Sequence, residues 1–190
     1  MLILIIAKQI ELYVFLMLFA LIHELAHMVA GITLKLKPQT LEIQPFGVAI
    51  VFESFENTDK NKIIIALAGP FINIALAIIF GFINISMQST IISVNILLAI
   101  FNLVPIYPLD GGRIIKSIIR IKEGREKAED ITNKISNILM IILTVLSSIL
   151  ILLYKNIGLL IIITYLWIIV IKENRRYTLN KRITNIINKL

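Results

Sequence analysis

Between Ile63 and Leu109 the chain runs for 47 residues without an Asp, Glu, Lys, Arg or His. A water-exposed domain of this size intersperses charge over its surface, whereas an ionised side chain in hydrocarbon is costly and a helix needs about 17 to 25 apolar residues to cross a bilayer. The run is therefore read as two crossings, with the turn between them at Asn84 to Thr90. Three further stretches fit the same rule: Leu12 to Leu34, where Glu24 is the only carboxylate and no Lys or Arg occurs; Ile135 to Tyr154; and Asn156 to Ile171, set off from its predecessor by little more than Lys155. The expected fold class is an all-α polytopic membrane protein of about five transmembrane helices, one of them broken, spanning residues 1–171 with its core at 12–120. A basic tail, 172–190, follows. Met1 to Ala7 is apolar but too short to cross, and it lacks the basic leader and small-residue cleavage site of a signal peptide. It reads as the stump of a further helix.

Charge then gives orientation. Lys and Arg number 19 against 12 acidic residues, a net +7, and basic residues concentrate in short cytoplasmic loops. Residues 32–62 carry Lys35, Lys37, Lys60 and Lys62; seven basic residues fall in 110–134 and six after Ile171. Five spans put these three segments on one side, the cytoplasmic one, leaving only Lys8 and Lys155 opposite. Topology thus accounts for the surplus, and with no aromatic-interleaved recognition motif, no nucleic-acid partner is expected. Arg175, Arg176, Lys181 and Arg182 suit contact with anionic lipid. The chain has no cysteine, which excludes disulfides, thiol nucleophiles and thiolate metal sites.

Both histidines lie in the first span, at His23 and His27, with Glu24 directly after the first. On a helix a spacing of four brings two imidazoles to one face a turn apart, which suits two ligands of a tetrahedral zinc ion, while the adjacent carboxylate reaches a metal-activated water. That is the chemistry of peptide hydrolysis. The alternative is a structural histidine pair with a snorkelling glutamate, but an acid inside an apolar helix costs about 2.5 to 3.5 kcal/mol on insertion scales and asks for a function. Two imidazoles leave such a site one protein ligand short, and with neither cysteine nor a third histidine the donor must be an oxygen. Most acids sit in charged loops. Asp110 instead ends the long uncharged run, after Pro105 and Pro108 and before Gly111 and Gly112, where the backbone is expected to be unwound and to line a cavity. His27 is a few residues from the cytoplasmic end of its span, on the order of 10 Å deep at 1.5 Å per residue, and Asp110 ends its own span on that side. A helix-boundary carboxylate beside Arg113 is the alternative.

The chain resembles the site-2 protease family of intramembrane zinc metalloproteases, and within it the group of the stage IV sporulation metalloprotease. The markers are His23-Glu-Leu-Ala-His27 in a span, Ala68-Gly-Pro-x-x-Asn73, and Asn102 through Gly112, so the likeness covers residues 12–120. It implies one zinc ion per chain on His23, His27 and Asp110, Glu24 as the base that activates water, and transmembrane or membrane-associated protein substrates, in that group a sigma-factor precursor. It also implies a multi-pass cell-membrane protein, active near the cytoplasmic face, with membrane-protein regulators. Members usually have a transmembrane helix before the zinc-binding one, and often a nucleotide-sensing CBS domain after the core; no ATP regulation through such a domain is expected here.

Leu41 to Phe55 alternates in part around a Pro-Phe-Gly break and predicts two short strands. A helical substrate must be unwound before its peptide bonds can be reached, so this hairpin, with Gly47 at its break, is expected to bind the freed strand by β-addition; a loop lying on the membrane is the alternative. Asn102 is a candidate substrate contact or oxyanion donor, or else a structural amide near Pro105. Asn73, beside Gly69 and Pro70, is expected to make an interhelical hydrogen bond at a close helix crossing. The competing function is a non-enzymatic metal-ion or proton transporter, but its polar residues should be strung along a path, whereas these cluster at one face and no internal repeat is visible.

Overall fold

The computed structural model describes residues 2–36, 38–44, 47–52, 58–154 and 157–187. In chain order the elements are α1 (Leu2–Thr33), β1 (Pro38–Gln44), β2 (Gly47–Phe52), α2 (Asp59–Gly81), α3 (Gln88–Leu103), α4 (Asp110–Glu123), α5 (Arg125–Tyr154) and α6 (Ile157–Ile187). They divide into two compact units, Met1–Val104 and Pro105–Leu190.

Three helices are long and apolar enough to cross a membrane, at Ile10–Thr33, Asp59–Gly81 and Arg125–Leu153, and Gln88–Leu103 is a shorter apolar helix. The burial pattern is that of a water-soluble protein turned inside out. Large apolar side chains such as Tyr13, Met17, Phe71, Ile78, Ile100, Ile141 and Leu152 face outward, while His23, Asn73, Asn95, Asp110, Thr132 and Ser136 are buried. Lipid has no preference for hiding Leu or Ile, so polar groups are what the interior must collect. The chain is an integral membrane protein.

In the first unit α1, α2 and α3 pack on one another around Phe19, Ile91 and Val94, with Phe15 stacked on Phe19 and Phe80 meeting it edge-on. Thr58 caps α2 by accepting from Asn61 N. At its other end Gln88 Nε2 donates to the Phe80 and Gly81 carbonyls, each at 3.0 Å, satisfying two of the acceptors a helix end leaves open. The turn falls at residues 82–87. β1 and β2 pair antiparallel with Leu41 opposite Ile50 and Ile43 opposite Val48, and β2 runs beside α1. The hairpin is thus present as expected, with Pro45 and Phe46 of its break, and Glu53 to Phe55, outside the described residues.

The second unit opens with the irregular segment 105–109, which leads into α4. Helices α4 and α5 pack together, as do α5 and α6. Along the last pair Trp167 Nε1 donates to Thr144 Oγ1 (2.9 Å), Asn174 Nδ2 to Asn137 Oδ1 (2.7 Å) and the Tyr177 hydroxyl to Asp130 Oδ1 (3.4 Å). Positions 130, 137 and 144 recur every two turns, so one face of α5 carries all three contacts. Lys116 of α4 lies 4.1 Å over the Tyr107 ring and 3.7 Å from Glu173. Burial holds its ammonium below the ordinary lysine range, opposed by Glu173.

Three expectations are made more precise. The apolar start of the chain is no separate stump: residues from Leu2 onward are the first turns of α1, since nothing between Leu2 and Ile10 breaks a helix. The basic segment after Ile171 is helical for most of its length, since α6 continues to Ile187; charged residues leave a lipid environment without ending a helix. The chain is unwound just before Asp110, over residues 104–109, and Asp110 itself begins α4. Lys155, the expected hinge between the last two helices, lies outside the described residues.

Candidate metal centre

His23 and His27 lie one turn apart on α1, 3% and 9% exposed, with ring centroids 4.7 Å apart and planes nearly perpendicular. Each Nδ1 is engaged. His27 Nδ1 is 2.7 Å from the Ile65 carbonyl of α2; a carbonyl oxygen only accepts, so this nitrogen carries the proton and Nε2 keeps its lone pair. Pro70, inside α2 one turn further on, offers no N–H to the neighbouring Ala66 carbonyl.

His23 Nδ1 is 2.7 Å from Asn73 Oδ1, Asn73 Nδ2 donates to Asn95 Oδ1 at 3.0 Å, and Asn95 Nδ2 donates to the Ile91 carbonyl at 2.9 Å. Both asparagines are fully buried. The expectation for Asn73 is met, since it bridges helices, but its partner is a histidine of the site. Asn95 escaped the sequence reading; the only signal is an amide in an apolar helix, where polar groups need partners.

Gly69 faces the two rings from α2. A Cβ placed there would lie 2.5 Å from both Nε2 atoms. The two nitrogens therefore converge on one region of space, and only glycine keeps it open. Two convergent Nε2 lone pairs, each with its Nδ1–H held by an oxygen, make the donor arrangement by which imidazoles bind zinc, so the residues fit the ion. Glu24, next on α1, is half-buried.

Asn102, near the end of α3, donates from Nδ2 to the Leu98 carbonyl at 2.9 Å, one turn back along its own helix. The carbonyl released nearest Pro105, that of Phe101, accepts from Val104 N instead. Gly47 opens β2 opposite Gln44.

In the second unit Asp110 is the first residue of α4 and 5% exposed. Its carboxylate sits at the N-terminal end of that helix. The two glycines after it do not supply unusual backbone angles, for Gly124 is the only described glycine with positive φ. Gly112 is needed for contact: a Cβ there would run into the Tyr107 nitrogen and the Ile106 carbonyl group, so the first turn of α4 lies directly on the segment that leads into it.

Residues 84–146 match the model of Peptidase family M50. The chain is 28% identical over 141 residues to a zinc metalloprotease of Methanocaldococcus jannaschii, covering 70% of this chain and 41% of that one. It is 28% identical over 128 residues to stage IV sporulation protein FB of Bacillus subtilis, covering 64% and 44%. It thus spans less than half the length of these curated relatives. Among solved structures, the site-2 protease from Methanocaldococcus jannaschii has the same fold, with a TM-score of 0.65 at 24% identity, covering 90% of this chain and 85% of that one. The likeness reaches an archaeal protein as well as the sporulation protein, and so does not single out the sporulation group.

Proposed function

We propose, from the premise that this chain belongs with the site-2 proteases of Peptidase family M50, that it is an intramembrane zinc metalloendopeptidase acting on membrane-embedded or membrane-associated proteins. The observation that carries this reading is the pair of convergent, Nδ1-anchored imidazoles on α1 with Gly69 keeping their front clear. His23, His27 and Asp110 each offer one ligand atom; with no cysteine and no further histidine the third donor is an oxygen, and Asp110, a buried acid at the start of α4, is the one we assign. A zinc ion so held supplies Lewis acidity and lowers the pKa of water toward about 7.

The remaining work falls to the chain. Glu24, beside His23 and half-buried, takes the proton of the attacking water and passes it to the leaving amine. The hairpin β1–β2 receives the unwound substrate strand, Gly47 giving the backbone close approach. Asn102, whose Nδ2 is bonded to Leu98, offers substrate its Oδ1 as an acceptor for a peptide N–H. The distribution of basic residues supports a centre near the cytoplasmic face, and a sigma-factor precursor is one substrate of the expected class.

The test is co-expression with single-span membrane proteins, mapping the products for wild type and variants. Glu24→Gln should retain zinc and lose cleavage, by about 10²-fold or more for a lost general base. Asp110→Ala should lose both. Normal cleavage by Glu24→Gln would remove Glu24 from the mechanism.

A further inference from the structure

We propose that Asn73 and Asn95 are positioning residues for the metal centre: a two-amide relay, polarised by the Ile91 carbonyl, that holds His23 in the tautomer able to bind zinc. An asparagine beside a histidine does not by itself choose a tautomer. Its amide presents oxygen or nitrogen after a half-turn, and the nitrogen would stabilise a ring protonated on Nε2, which has no lone pair to offer a metal. The second asparagine removes that ambiguity. Ile91 O can only accept, so Asn95 must turn Nδ2 toward it at 2.9 Å. Asn95 then presents Oδ1 to Asn73, which answers with Nδ2 at 3.0 Å. This leaves Asn73 Oδ1 facing His23 Nδ1 at 2.7 Å, and Nδ1 must be the donor. Both amides are fully buried, so no solvent molecule relaxes the sequence of choices. His27 obtains the same result from the Ile65 carbonyl directly and depends on neither asparagine.

This inference rests on the zinc reading above, and the experiment separates the two. The full chain is purified metal-free in detergent micelles with ¹⁵N-labelled histidine. Long-range ¹H–¹⁵N spectra distinguish the two imidazole tautomers, and with two histidines in the chain a His27→Gln variant assigns them. In wild type both rings should be protonated on Nδ1. In Asn95→Leu, His23 should become a mixture of tautomers while His27 stays unchanged, and zinc affinity, measured by competition with a chelator, should fall about 10- to 100-fold, the usual effect of removing a group that orients a metal ligand. Asn95→Thr, whose hydroxyl can donate to Ile91 O and accept from Asn73, should recover the wild-type His23 spectrum.

A His23 protonated on Nε2 in the wild-type spectrum overturns the proposal even where no variant folds. So does a folded Asn95→Leu with both rings unchanged, whatever its zinc affinity, because Asn95 would then only pack. Failure of wild type to bind zinc overturns the metal reading instead, and the tautomer spectra still decide on the relay.

Discussion

At the scale of single residues the site is held by backbone oxygens and by the absence of one methyl group. The histidine pair, its spacing and its charged neighbour were legible because they interrupt an apolar run. The groups that orient them were not, because Asn73 and Asn95 are 22 residues apart and Ile65 and Ile91 contribute carbonyls, which every residue has. Gly69 could be read as a close crossing from the Gly-Pro step, but not as the residue facing both Nε2 atoms. Its replacement gives a sharp prediction. In Gly69→Ala the new Cβ would meet both nitrogens at 2.5 Å, well inside contact distance, and neither ring can swing away without giving up its Nδ1 bond at 2.7 Å. Alanine is a better helix former than glycine by about 1 kcal/mol, so α2 should persist and the chain should still insert. The expected outcome is a folded protein with almost no zinc by elemental analysis; a full complement of metal would mean that the rings do not converge where α2 approaches them.

At the scale of elements, the hydrophobic runs located five of the six helices, and Pro105 and Pro108 located the interruption, residues 104–109. What the runs could not show was α4. Its glycines looked like helix breakers, yet Gly112 is there for close packing, and Ile114, Ile115, Ile118 and Ile119 alternate with Arg113, Lys116 and Arg120 at helical spacing. A charged amphipathic helix after an apolar run reads from composition as loop. The hairpin was legible from alternation, and its register makes its proposed role testable. In an antiparallel pair successive N–H groups point alternately to the partner strand and away from it, so prolines at Val48, Ala49, Ile50 and Val51, one at a time, remove inward and outward donors in turn. Inward prolines break the pairing with Ile43, Glu42, Leu41 or Thr40. Outward ones spare the hairpin and remove only donors a substrate strand could use. If substrate adds to β2, cleavage of a transmembrane substrate should fall at all four positions. Loss at the inward positions only would give the hairpin a structural role.

At the scale of the whole molecule, the governing fact is that apolar side chains face out and polar ones in, and that fixes the protein in a bilayer but not which way up. Orientation rests on the basic residues, whose transfer to the helix centre costs about 2.5 to 3.5 kcal/mol each, so segments carrying several stay on the side of synthesis. The chain offers an unusually clean test, because it contains no cysteine and single cysteines can be introduced without removing any. Ser86, in the exposed turn between α2 and α3, should lie outside; Lys60 at the start of α2 and Lys122 near the end of α4, both exposed, should lie in the cytoplasm. A membrane-impermeant maleimide applied to intact cells should label Ser86→Cys alone, and Lys60→Cys and Lys122→Cys only once the membrane is opened. His27 is six residues from the end of α1 at Thr33, about 9 Å at 1.5 Å per residue, so the same experiment fixes the depth of the histidines. The reverse labelling pattern would move the centre to the outer face and exclude a cytoplasmic sigma-factor precursor as its substrate while leaving the zinc chemistry intact, since the ligands and their hydrogen bonds do not depend on which leaflet they face.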